Sequence, residues 1–241
     1  MPKRVIPRKS APVKAIKSSP PKRTPSGDLA PDRIAAILKG LDEAYPAVEC
    51  ALVHRSPWEL LVATILSAQC TDVRVNMVTP ELFHRFPTPA ALAKAALPQL
   101  EALIRTTGFF RNKAKSIQGA AKKVLADFNG QVPQTLAELI TIPGAARKTA
   151  NVVLGTAYGI ASGIVVDTHV QRLSKRLDLT KETDPVKIER DLIKIIPRDR
   201  WILFSHQLIH HGRTLCVARK PKCAPCLLNA VCYAPDKTAL Y

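Results

Sequence analysis

The sequence predicts an all-α fold, and three observations carry the prediction. Helix starts recur along the chain: Ser56-Pro57-Trp58-Glu59 is a capping box with proline at the first helical position, and Thr88-Pro89 and Asp184-Pro185 pair a cap with a proline in the same way. In the stretch NKAKSIQGAAKKVLADF, residues 112–128, Ile117, Ala121, Val124, Leu125 and Phe128 recur at helical spacing while Lys115, Lys122 and Asp127 fall elsewhere on the surface. The only stretch that reads as extended is Ile164-Val165-Val166, too short to found a sheet. About ten helices joined by short turns follow from this pattern.

The elements can be justified in order. Residues 1–29 are rich in Pro, Lys and Ser with few large apolar side chains, so they cannot bury enough surface to offset backbone entropy and are expected to be a disordered basic tail. Helical patterning begins at Pro31. A helix starts at the Ser56 capping box, and another begins near Thr71 and is expected to end or kink at Pro80. Thr135 to Ile142 reads as a short helix stopped by Pro143-Gly144, and Arg147 to Tyr158 reads as the next helix.

The 241 residues suit one large domain or two small ones. Apolar residues make up 46% and charged residues 23%, and no apolar run approaches the ~18 residues that a membrane helix needs. The basic N-terminus lacks the apolar segment of a secretory signal. The formal net charge is +17; eight Lys and Arg with no acid lie in residues 1–27, and the other nine charges belong to the remainder. A body basic in its own right favours a polyanionic partner, nucleic acid first, against the plainer reading of charge as a solubility device.

The stretch TIPGAARKTANVVLG, Thr141 to Gly155, raises a specific question. Lys148 sits in the first turn of a helix, where the positive end of the backbone dipole disfavours a second positive charge. Helix terminus, neighbouring cations and an expected partial burial all favour the free amine, which can attack an electrophilic sugar carbon and form a Schiff base. The tight turn before it turns backbone N–H groups outward, a geometry suited to a DNA phosphate and equally to an ordinary αα-hairpin.

Six cysteines occur, and four of them, Cys216, Cys223, Cys226 and Cys232, form C-x6-C-x2-C-x5-C. Without a secretory signal, metal ligation is favoured over disulfides. Four thiolates at this spacing suit a tetrahedral zinc site or a cubane cluster, although zinc sites usually show two close pairs and only Cys223 and Cys226 make one. Cys50 and Cys70 read as buried free thiols. His206, His210 and His211 lie near i, i+4 spacing, but Gln207 stands where the zinc-protease motif needs Glu, so they read as a structural helix face. His169 reads as a local hydrogen-bonding residue.

Taken with these features, IPGAARKTANVVLGTAYG resembles the helix-hairpin-helix of the endonuclease III family, bifunctional DNA glycosylases and AP lyases. The resemblance covers nearly all of residues 30–235. It implies a two-lobed helix-hairpin-helix DNA glycosylase fold with a C-terminal [4Fe-4S] cluster loop. It also implies Lys148 as the nucleophile and, in VVDTHVQRLSKRL, Asp167 as the catalytic carboxylate, which on local grounds alone is a helix N-cap. The four C-terminal cysteines match the family's [4Fe-4S] loop at every position.

The same resemblance implies the DNA contacts. LSAQCTDVRVN is similar to a segment whose glutamine, here Gln69, fills the hole left by an extruded base, and TTGFFRNKAKSI is similar to a second wedge loop that places Phe109 after its glycine. The local alternatives are that Gln69 caps a helix end and that Phe109 is core. Arg111 and Lys113, Gly144, Ala146 and Arg147 in the hairpin, and Arg219, Lys220 and Lys222 in the cysteine loop are candidate phosphate contacts. Ala146 stands where the family's hairpin has a second glycine, and its methyl is expected to strain the turn by ~1 kcal/mol or hold the phosphate away.

The implied organisation is a helical bundle over residues 50–159 ending in the hairpin, and a second lobe built from 30–49 and 160–241. The implied activity is removal of oxidised or damaged pyrimidines from duplex DNA and nicking at abasic sites, by a monomer with no membrane association. The expected location is the bacterial cytoplasm at the nucleoid, or a nucleus or mitochondrion in a eukaryote. Two alternatives are a monofunctional adenine glycosylase, against which Lys148 and the lack of an extra C-terminal domain argue, and a non-catalytic DNA-binding protein.

Overall fold

The computed structural model describes residues 29–238, so all but the last residue of the expected basic tail lies outside the described residues. Among the described residues there are eleven α-helices, three single 3-10 turns and no strand. The helices are α1 (Pro31–Ala44), α2 (Pro57–Leu66), α3 (Asp72–Arg85), α4 (Pro89–Lys94), α5 (Leu97–Ile104), α6 (Phe110–Phe128), α7 (Leu136–Leu139), α8 (Arg147–Tyr158), α9 (Thr168–Arg176), α10 (Pro185–Ile195) and α11 (Trp201–Thr214). The segment Ile164-Val165-Val166 is buried coil leading into α9.

Side-chain caps set most of the starts. Ser56 Oγ accepts the Glu59 N–H at 3.2 Å, and Glu59 reaches back to the Arg55 N–H at 2.7 Å. Thr88 caps α4 through the Ala91 N–H, Thr135 caps α7 through the Glu138 N–H, and Asp184 accepts from both Val186 and Lys187 at the start of α10. Thr71 caps α3 through the Arg74 N–H, but α3 does not end at Pro80; it runs through it to Arg85. Pro80 is exposed, so the carbonyl that loses its helical partner is on the side where water can replace it.

The buried side chains form two separate cores. One is built from α2 to α8 around Leu60, Leu61, Leu66, Ile117 and Leu154. The other joins α1 to α9, α10 and α11 around Ile37, Leu41, Leu173, Leu192 and Phe204. The N-terminal helix is thus stitched to the C-terminal ones: Arg200 forms a two-pronged ion pair with Asp42, which also accepts from Gln207 Nε2 at 2.9 Å. Arg33 donates to the carbonyls of Val231, at 3.0 Å, and Leu177.

The hairpin between α7 and α8 is seated on the first core. Gly144 has φ +82°, and a Cβ there would lie 3.0 Å from Ser116 Cβ and 3.1 Å from Ile65 Cγ2, so the turn needs glycine for its backbone and for its space. Ala146 has φ −73° and ψ 171°, ordinary values for alanine. The strain expected of a methyl group at this position is therefore absent, because the turn reaches α8 without a second left-handed residue.

Candidate active site

Lys148 is the second residue of α8 and Asp167 is the N-cap of α9, so each core contributes one to the cleft between them. Both residues line two adjoining cavities. The outer one is wide and open, and Gln69, Cys70, Asn76, Thr168 and His169 also line it. The inner recess is narrower and is walled by Glu49, Cys50, Thr64, Val152, Ser205, His206 and His210.

Asp167 Oδ1 accepts the N–H groups of His169 and Val170, each at 2.8 Å. The cap role and a catalytic role are compatible, since Oδ2 makes no hydrogen bond among the described residues and one carboxylate oxygen serves the backbone. Lys148 is exposed to the cleft, not partly buried as the sequence suggested, and forms no ion pair among the described residues. The first turn of α8 has no side-chain cap, so its backbone N–H groups face solvent without a local acceptor.

Two contacts across the cleft were not visible in the sequence. Arg147 donates to Glu189 on α10 through Nε at 2.7 Å and Nη2 at 3.1 Å, and Asn151 Nδ2 reaches Glu189 Oε1 at 3.0 Å. Arg147 is therefore engaged with the second core, with 44% of its side chain still exposed. Gly163 leaves the room this carboxylate occupies: a Cβ there would fall on the Glu189 and Asn151 side chains. Arg213 on α11 donates to Asp72 at the start of α3, at 2.7 Å, and both line the two cavities.

Of the two expected wedge residues, Gln69 makes no cap hydrogen bond, and Phe109 stands at the N-cap position of α6 without a side-chain cap and outside the core. Gln69 and Phe109 both have left-handed backbones, with φ of 53° and 49°, and both are exposed, Phe109 at 66%. Lys113 departs from expectation. It is 6% exposed, and its Nζ donates to the Thr107 carbonyl at 2.7 Å, closing the loop that displays Phe109. Burial holds its pKa below the usual lysine range. It cannot reach a phosphate; it holds the loop. Arg111 is exposed beside Phe110 and 4.0 Å from Glu101.

Cys216, Cys223, Cys226 and Cys232 line one cavity with Leu173, Leu177, Leu215 and Leu228. Burial pushes the Cys226 thiol up to about 12 and raises Cys232 as well, as expected of thiols in an apolar wall. Arg176 Nη1 lies 3.2 Å from Cys216 Sγ and donates to the Val217 carbonyl at 2.7 Å; Nη2 donates to the Ala218 carbonyl and to Asp236. Among the described residues no three His, Cys, Asp or Glu side chains are close enough to share a single metal ion. Four sulfurs round one apolar cavity make a soft donor set that suits a thiolate-bound metal group. Arg219, Lys220 and Lys222 are exposed on the same loop.

His211, buried on the other side of α11, lies 2.8 Å from the Tyr45 hydroxyl and 3.6 Å from Cys226 Sγ. His169 lies 3.3 Å from Arg172, a local contact as expected. Cys50 and Cys70 are half-buried, and Cys50's thiol is raised by burial. No helix among the described residues is long and apolar enough to cross a membrane.

A fold that is all-helical among the described residues, with a hairpin, an uncapped helix start, and a lysine and an aspartate lining one cleft, defines a class. Residues 62–198 match the model of the HhH-GPD superfamily of base excision DNA repair proteins, and the chain belongs to that superfamily. Within it, the chain is 58% identical over 200 residues to endonuclease III of Synechocystis sp., covering 83% of this chain and 91% of that one. It is 43% identical to endonuclease III of Bacillus subtilis, covering 85% and 94%. A solved structure of a trapped endonuclease III–DNA covalent intermediate superposes with a TM-score of 0.81 at 42% identity, covering 85% of this chain and 96% of that one. The chain belongs to the endonuclease III family.

Proposed function

We propose that this protein excises oxidised or ring-damaged pyrimidines from duplex DNA and then cleaves the strand at the abasic site. One observation carries the reading: Lys148 and Asp167, from separate cores, line the same two cavities in a cleft open to DNA. The amine of Lys148 attacks the deoxyribose C1′ as the damaged base departs with its bonding electrons and takes up a proton. Asp167 stabilises the positive charge that builds on the sugar and accepts protons from the attacking amine. Opening of the sugar ring, in which the C1′–O4′ bond breaks and O4′ takes up a proton, gives a Schiff base, which acidifies the C2′ proton; its removal expels the 3′ phosphate and cuts the strand. The uncapped N-terminus of α8 holds a backbone phosphate, with Gly144 and Ala146 beside it, and Gln69 and Phe109 enter the duplex.

Cys216, Cys223, Cys226 and Cys232 would hold a [4Fe-4S] cluster, whose contribution when bound is a covalent cross-link fixing the loop that bears Arg219, Lys220 and Lys222. Arg176 donates into that loop and carries α9, with Asp167 at its other end. The location that suits this work is the cytoplasm of a bacterium, in contact with its DNA.

Borohydride trapping on an abasic duplex tests the reading. Wild-type protein should give a covalent adduct, and Lys148→Gln should give none. An adduct of equal yield from the variant would overturn the assignment of Lys148.

A further inference from the structure

The inner recess carries polar groups that neither the fold nor the reaction uses. Of those lining it, Thr64 Oγ1 is spent on the Leu60 carbonyl, Ser67 Oγ on the Thr64 carbonyl, and Ser205 Oγ on the Trp201 carbonyl and the Val165 N–H. His206 and Glu49 are different. They stand in the walls of the recess, His206 half-buried on α11 and Glu49 exposed to solvent on the segment between α1 and α2, and neither side chain has a hydrogen-bond partner among the described residues. His206 is half-buried and makes no hydrogen bond among the described residues, its charged neighbour being Glu49.

The recess adjoins both reacting residues, so a base attached to the sugar at Lys148 has this space open to it. Resting on the proposed glycosylase reading, we propose that the recess receives the extruded pyrimidine and that His206 and Glu49 read its imide edge. A thymine- or uracil-derived base presents an N3–H between two carbonyls. The Glu49 carboxylate accepts the N3–H, and the His206 ring N–H donates to a flanking carbonyl. Oxidation or saturation at C5 and C6 leaves this edge intact, so the pair identifies the kind of pyrimidine and not its damage. Damage is then selected earlier, because a puckered or saturated ring leaves the stack at lower cost. A cytosine-derived base offers an unprotonated N3, which faces the carboxylate unfavourably, so lesions of the uracil type are preferred. Burial keeps His206 below its ordinary pKa, which leaves it a neutral ring with one donor and one acceptor.

The test measures single-turnover base release from duplexes containing dihydrouracil or 5-hydroxycytosine, and strand cleavage of a preformed abasic duplex, with the full chain carrying its cluster. His206→Ala should lower the ratio of dihydrouracil excision to abasic cleavage by about 10-fold, the loss expected for one hydrogen bond. His206→Asn, which keeps a donor, should recover part of it. Glu49→Gln, whose amide can donate to an unprotonated N3, should shift the preference between the two lesions toward 5-hydroxycytosine. Abasic cleavage reports folding and the Lys148 chemistry separately: wild-type protein that fails to cleave would sink the glycosylase–lyase reading itself. If excision and cleavage fall in parallel in the His206 variants, or the lesion preference is unmoved in Glu49→Gln, the recess does not read the base.

Discussion

Arg147 and Glu189 meet across the junction of the two cores, with the carboxylate 5% exposed and held by two guanidinium hydrogen bonds. Because Arg147 precedes Lys148 on α8 and Glu189 belongs to α10, this pair helps set where the Lys148 amine stands relative to Asp167. Arg147→Ala leaves a buried carboxylate with Asn151 as its remaining donor and should cost about 1–3 kcal/mol in urea denaturation. Gly163→Ala, which puts a methyl on the same carboxylate, should destabilise by a comparable amount.

The two small residues of the hairpin should respond oppositely to exchange. Gly144→Ala forces a side chain into left-handed backbone and against Ser116 and Ile65, at a cost of about 1–3 kcal/mol by thermal unfolding. Ala146→Gly should change stability by less than about 0.5 kcal/mol. Glycine is the better N-cap, while it loosens the unfolded chain, and the two effects offset. Any gain in DNA affinity in Ala146→Gly then measures the methyl's obstruction of a phosphate, free of backbone strain.

The basic residues divide by a salt titration of DNA binding. Lys222→Ala and Arg219→Ala remove exposed charges and should each reduce the slope of log K against log salt by about 1 if the residue touches a phosphate. Lys113→Met should leave the slope unchanged. Its effect should appear in base excision, through loosening of the Thr107 carbonyl contact that closes the Phe109 loop.

His206 gives a pH prediction. Burial lowers its pKa from the ordinary 6.5, against a smaller opposing effect of Glu49. The unfolded chain therefore binds more protons than the folded one as pH falls below about 6.5. The stability attached to the neutral ring is complete above that value and is lost on acidification. Urea denaturation from pH 7.5 to pH 5 should show a shallower decline for His206→Asn than for the wild-type chain.

Local chemistry made much of this molecule readable. Ser56, Thr88 and Asp184 announce helices because a cap acts on the backbone two or three residues away. The Pro143-Gly144 turn and the cysteine spacing are likewise short-range signals. Other residues answer to partners or backbone turns that a local pattern does not record. The engagement of Arg147 with Glu189 could not be read, because that acceptor lies 42 residues on. Lys113 looked exposed because charge usually is, yet a loop carbonyl six residues back takes its ammonium inside. Phe109 could have been core by its hydrophobicity, and only the left-handed backbone after Gly108 turns it outward. His206 read as part of a structural face, since periodicity records which side of a helix a residue occupies and not what cavity lies there.

Gln69 and Phe109 both occupy the left-handed region, at roughly 1 kcal/mol each for a residue with a side chain. That penalty falls on folding and is settled before any duplex is encountered. On the proposed reading, in which these two residues enter the duplex, their backbone does not have to be ordered at the moment of contact, so that part of the entropy usually surrendered by a flexible tip is not charged against the complex. On that reading, a protein that inspects long stretches of undamaged helix would gain from this at every step, because each encounter would begin with the backbone of both residues already set.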